Sequence, residues 1–239
     1  MVEWRRAGRA TRGGIVALFK FGRIDMRCFL EVLQSSIAKK ISVALAGILL
    51  VGFLVLHLAG NLFLLAGPQA FNGYAKHLAD NPILPAAEIL LAALFMWHIA
   101  AALVARVQNR KARPQGYENQ RAKGGRTWGS RSMTVTALFL LAFLIIHLKS
   151  FRFAANRSDL YALVMKDFQN KYYVGFYVLA MGALALHLSH GIQSAFQTFG
   201  INHPRYTPWI KRAGVAVAIV LAAGFAFLPV WALVTGGAR

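Results

Sequence analysis

The chain has 239 residues, of which 57% are hydrophobic and only 15% charged, with a formal net charge of +19. That composition is too apolar for an ordinary soluble domain. The basic residues lie between hydrophobic runs rather than along one face with interleaved aromatics, which excludes a nucleic-acid partner, and the lone Cys28 excludes an internal disulfide or a Cys-x-x-Cys redox pair.

Five apolar runs, each near the length of about 20 residues that crosses a bilayer, predict an all-α integral membrane bundle of five transmembrane helices. Residues 1–34 form a basic N-terminal extension with an apolar patch, Ile15–Phe19, too short for the core of a signal peptide. Met26 opens the segment leading into the first span, so residues 1–25 are expected either to belong or to be a dispensable extension or misassigned start. Residues 35–239 are one membrane domain, with spans at about 41–65, 84–105, 133–148, 172–194 and 215–234.

The connections differ in character. Residues 66–83 are a loop broken by Gly67-Pro68 and Asn81-Pro82. Residues 106–132 carry eight Lys and Arg against the single acid Glu118, residues 149–171 mix bases with Asp159 and Asp167, and residues 197–212 are a Gly- and Pro-punctuated connector. Of the 27 Lys and Arg residues, twenty fall on the side of the N-terminus and seven on the other. The bias of basic residues toward the cytoplasm therefore predicts an N-terminus inside and a C-terminus outside.

Spans one to four each carry a histidine, His57, His98, His147 and His187, while span five has none. Polar residues inside a bilayer are costly unless a bundle interior uses them. At about 1.5 Å per residue, His57 and His147 lie roughly 24 and 21 Å along outward-running helices, and His98 and His187 roughly 21 and 22 Å along inward-running ones. Two pairs follow, at two depths, His57/His147 toward the outer leaflet and His98/His187 toward the inner. Histidines from different helices at one height can clamp a flat macrocycle through both axial positions of an iron. With only Cys28 available, such a haem would be non-covalent. Gly60 and Gly191 are expected to give it room.

His190, three residues after His187, lies on nearly the same helical face, so spacing alone does not choose between them; the other could donate to a haem propionate. Glu88, the only acid within a span, suits the helix dipole in a first turn or could transfer protons near an outer quinone. His77 and His203 fall in loops, where solvation is expected.

Several local patterns go together: Ser35-Ser36-Ile37-Ala38-Lys39-Lys40 before span one, Leu56-His57-Leu58-Ala59-Gly60-Asn61, Ala70-Phe71-Asn72, Trp97-His98, Ile146-His147 and His187-Leu188-Ser189-His190-Gly191. Over residues 35–234 the chain resembles the five-span, dihaem cytochrome b subunits of succinate dehydrogenase and fumarate reductase. The resemblance implies axial iron ligands at His57, His98, His147 and His187. It selects His187 over His190, because the matching histidine lies four residues before a glycine. Some members that reduce fumarate carry an acid two residues before that ligand, where this chain has Ala185.

The resemblance also implies two b haems, a quinone (menaquinone ahead of ubiquinone), and iron–sulfur and flavoprotein subunits docked on the basic inner surface of a prokaryotic cytoplasmic membrane. The chain would then anchor a succinate dehydrogenase and pass electrons from the inner haem to the outer one and to quinone; a fumarate reductase would run in reverse. Such a path would couple to membrane potential at about 2.3 kcal/mol per charge and 100 mV. A haem-free anchor or a proton or solute carrier with a histidine relay is the alternative of another class, and the five-span cytochrome b of nitrate reductase differs in concentrating its ligands on two helices.

Overall fold

The computed structural model describes residues 35–111 and 128–236, and the elements within them are helices joined by turns and short coils. The extension 1–34 and most of the basic loop, including Arg113, Glu118, Arg121, Lys123 and Arg126, lie outside the described residues. The described residues divide between two units at Lys39 and Lys40. Of the first, the described residues open a helix whose start is capped by Ser35, with Oγ accepting from the Ala38 N–H at 3.1 Å. That satisfies a donor that has no partner within the helix.

The elements run α1 (Ser36–Asn61), a 3₁₀ turn (Leu62–Ala66), α2 (Pro68–Ala79), α3 (Leu84–Lys111), α4 (Trp128–His147), a π turn (Leu148–Arg152), α5 (Leu160–Asp167), α6 (Lys171–Thr198) and α7 (Thr207–Gly236). Among the described residues, five helical segments are long and apolar enough to cross a membrane: Ile37–Ala66, Leu84–Gln108, Gly129–Arg152, Lys171–Thr198 and Thr207–Gly236. A helix is the form that satisfies every backbone group within its own segment in hydrocarbon. The chain is thus a multi-pass all-α membrane protein. Large apolar side chains such as Leu49, Leu90, Val135, Leu179 and Val220 remain exposed along these helices, as lipid-facing surfaces require.

Each helix outruns the expected span. The fifth begins at Thr207 rather than near residue 215, and the third begins at Trp128 rather than near residue 133 and continues past His147 through the π turn to Arg152. The first turns of the third contain Gly129, Ser130, Arg131 and Ser132, which look like loop by hydropathy yet hold helix.

Two connections expected as loops contain helices of their own. Gly67 adopts φ 94°, a left-handed turn that glycine makes without steric cost, and Pro68 follows at the first position of α2, where its missing N–H breaks no bond. Downstream, Asp159 caps α5 by accepting from the Ala162 N–H. Asn72 of α2 joins the two, donating through Nδ2 to Asp159 Oδ1 and accepting from the Tyr161 N–H, both at 2.9 Å. His77 accordingly lies in the last turn of α2 rather than in a loop.

The core has two parts. Leu64, Phe71, Val164, Phe168, Val174, Tyr177, Leu228 and Ala232 form one cluster where α2 and α5 meet the ends of α6 and α7. Ala180, Met181, Leu184, Leu188 and Ile192 of α6 pack on Ala218, Leu221 and Ala222 of α7 in the other. Helices α4, α6 and α7 approach closely along their backbones, whereas the most apolar window of α3 has no buried residue. It meets its neighbours through side chains.

Candidate haem-binding sites

The four histidines lie on four different helices. His57 lies one turn before the end of α1 and His147 ends α4, both at the end of the bundle away from the basic connections. His98 stands at the middle of α3, and His187 lies sixteen residues into α6.

The structure brings His57 and His147 into contact, with ring centroids 5.9 Å apart and ring planes at 89°. Phe53 stacks on His57 at 5.2 Å, Phe225 lies on it at 5.7 Å, and Phe143 stacks on His147 at 5.5 Å. The edge of Phe151 closes another side of His147. His147 Nδ1 also meets Tyr177 Oη at 3.2 Å. The backbone around His57 is finished by Asn61, whose Nδ2 donates to the His57 carbonyl at 2.7 Å.

The second pair is looser. His98 lies within electrostatic reach of His187, as does His190. Both His98 Nδ1 and His187 Nδ1 are buried without a hydrogen-bond partner among the described residues, a combination that costs free energy unless another group satisfies them. The Val43 carbonyl lies beside the His98 ring. Gly47, one turn further along α1, packs so closely that a Cβ there would sit 3.3 Å from His98 Cε1 and 3.7 Å from its Nδ1.

His190 is separated from its neighbour by its contacts. Its Nδ1 meets Gln193 Nε2 at 3.3 Å on the same helix, and its Cβ would lie 3.0 Å from a Cβ on Gly129 at the start of α4. The expectation that Gly60 leaves room for a macrocycle is corrected: a Cβ there would meet Tyr74 Oη at 2.5 Å, so Gly60 admits the α2 tyrosine instead. At Gly191 an added Cβ would meet nothing within 4 Å among the described residues. Glu88 is engaged by Arg152, which donates through Nε and Nη2 to its two oxygens at 2.7 Å each. The pair joins the first turns of α3 to the π turn after His147, a partnership 64 residues apart that sequence spacing does not reveal.

The donor set suits a macrocycle better than a bare ion. Among the described residues no three His, Cys, Asp or Glu side chains gather as a metal cage. A structural metal commonly takes four protein ligands. Paired imidazoles are what a haem iron needs, because the porphyrin fills the remaining positions. Nitrogens bind metals at about 2 Å, so two rings across one ion have centres on the order of 6 Å apart, a spacing that the 5.9 Å of His57 and His147 meets. His98 and His187 likewise offer one imidazole each from two helices, each ring within electrostatic reach of the other.

A family model described as succinate dehydrogenase/fumarate reductase transmembrane subunit matches residues 109–228, a stretch that contains His147 and His187. The chain belongs to this family. A relative, the succinate dehydrogenase cytochrome b558 subunit of Bacillus subtilis (strain 168), is 27% identical over 186 residues, covering 74% of this chain and 86% of the relative. No solved structure matches. The chain is therefore a membrane-anchor cytochrome b subunit of a succinate dehydrogenase or fumarate reductase complex.

Proposed function

We propose that the chain anchors a succinate dehydrogenase in a prokaryotic cytoplasmic membrane and conducts electrons across it to a quinone. The observation that carries this is the segregation of four membrane histidines, one per helix, into two pairs at different heights, one in ring contact and one sharing buried, unpartnered nitrogens. His57 and His147 would hold one b haem, and His98 and His187 the other. Bound there, the haems would supply one-electron transfer between an iron–sulfur partner on the basic side and a quinone, menaquinone by family, on the other.

The protein's own part is to present neutral imidazoles from rigid helices and exclude water with Phe53, Phe143, Phe151 and Phe225. His190, turned toward Gln193 and α4, serves as a neighbour of the inner haem rather than a ligand. Glu88, whose two oxygens accept from Arg152, is the candidate for taking up or releasing a proton at the quinone end. The twenty basic residues on the N-terminal side put that face in the cytoplasm, where the iron–sulfur and flavoprotein subunits would dock.

Spectroscopy tests this directly. The purified chain should give b-type bands in a reduced-minus-oxidised spectrum, with two haems per polypeptide by haemochrome assay. No b bands would return the histidines to a relay or a plain anchor, and one haem per chain would remove one of the pairs.

A further inference from the structure

A chain of three hydroxyl groups runs away from His147, and its proton count, taken from Tyr173 as donor to Ser150, points to the nitrogen of that histidine that carries hydrogen. At the far end Tyr173 Oη donates to Ser150 Oγ at 2.8 Å. A phenol has one proton to give. In its 3.1 Å contact with Tyr177 Oη, Tyr173 must therefore accept and Tyr177 donate. Tyr177 has then spent its proton, so across the 3.2 Å to His147 Nδ1 it can only accept. The hydrogen in that contact belongs to Nδ1, and the lone pair of the neutral ring sits on Nε2.

We propose that Tyr177 is the positioning residue of His147, holding it in the Nδ1–H tautomer with Nε2 free for iron. This inference rests on the haem-binding reading above. The surroundings give the phenol little freedom. Tyr177 is 5% exposed and in ring contact with Phe143, Phe151, Phe168 and Tyr173. Tyr173 and Tyr177 lie one turn apart on α6, and Ser150 lies on the π turn that continues the His147 helix. The relay thus links the two helices on which ring, phenols and serine are carried.

A hydrogen bond from the distal nitrogen makes an imidazole a stronger donor to its metal. Stronger donation favours the oxidised iron, so Tyr177 lowers the potential of the haem that His147 holds. The ring contacts of Tyr177 are with His147 and the aromatic residues around it, so its effect falls on the haem that His147 holds.

The test is an equilibrium redox titration of the haem-loaded full chain, with the haem missing from His147→Ala taken as the one to follow. Tyr177→Phe keeps the ring and deletes the acceptor, and should shift that haem's reduction equilibrium toward the reduced form about three- to tenfold, roughly 30–60 mV at 59 mV per tenfold. Tyr173→Phe, one step removed, should move it the same way by less, and the other haem should stay put. Tyr177→Phe with both haems bound and both potentials unchanged, or both shifted equally, overturns the inference while leaving the haem reading intact. Should Tyr177→Phe fail to accumulate, an unshifted Tyr173→Phe has the same force. A wild-type chain without b haem sinks both.

Discussion

His147 and His98 are both membrane histidines on apolar helices, yet the protein treats their spare nitrogens in opposite ways. His147 ends α4 amid Phe143, Phe151 and Tyr177, its Nδ1 meets a hydroxyl, and a relay of side chains extends to Ser150. His98 sits on the helix with no buried residue in its most apolar window, beside Gly47, with Nδ1 enclosed and unpartnered. His187 shares that condition. One end of the bundle is therefore organised by the polypeptide alone. The other leaves two buried Nδ1 atoms without a partner among the described residues, so its integrity should depend more on whatever is bound beside it.

The largest effect should come from breaking the pairs themselves. His98→Ala and His187→Ala should each abolish the same haem and spare the other, and His57→Ala and His147→Ala should do the reverse. The measurement is haem content with the spectral identity of the survivor. Different haems lost from His98→Ala and His187→Ala would overturn the inner pairing. His190→Ala should keep both haems, since its ring is turned to Gln193; loss of one would move the ligand by three residues.

A smaller and more selective change should follow from Gly47→Val. The added Cβ alone would stand 3.3 Å from His98 Cε1, closer than ordinary contact, and the two methyls beyond it would push the ring off its line to α6. Overpacking of this kind costs about 1–3 kcal/mol. Occupancy of the His98/His187 haem should fall severalfold while the other is retained. Gly191→Ala, with nothing within 4 Å, is the control and should leave both unchanged. Equal loss of both haems in Gly47→Val would mean that the two ends are not independently built.

Much of this asymmetry was invisible in the sequence, for identifiable reasons. Long apolar runs and a histidine per run were legible because hydropathy and a fixed rise per residue act locally along one helix. The helices α2 and α5 were hidden because each is short and introduced by residues that usually mark loops, Gly67-Pro68 and Asp159. The polar first turns of α4 obscured its start. Tyr177 is 30 residues from His147 and Arg152 is 64 from Glu88, so no periodicity connects them. Only Tyr173 and Tyr177, one turn apart, left a local trace. Gly47 resembled any membrane glycine until α3 was set against it.

The mildest test concerns the clasp beyond the well-ordered pair, where Asn72 ties α2 to α5 through Asp159 and the Tyr161 N–H. Bonds from the Ala162 N–H, then from Asn72, hold the Asp159 carboxyl below the usual aspartate range. A carboxylate with a depressed folded value stabilises the fold above its ordinary range and loses that contribution as pH falls to the folded value. Cleavage by an acid-active protease between Phe153 and Leu160 should therefore quicken as pH drops through and below the ordinary aspartate range. Asp159→Asn should largely remove that dependence, because an amide oxygen still caps α5 and does not titrate. Asn72→Ala, losing its bonds to Asp159 and the Tyr161 N–H, should loosen the segment at every pH. If Asp159→Asn kept the full acid response, the clasp would not be its source, and the self-sufficiency of this end of the bundle would rest on its aromatic packing alone.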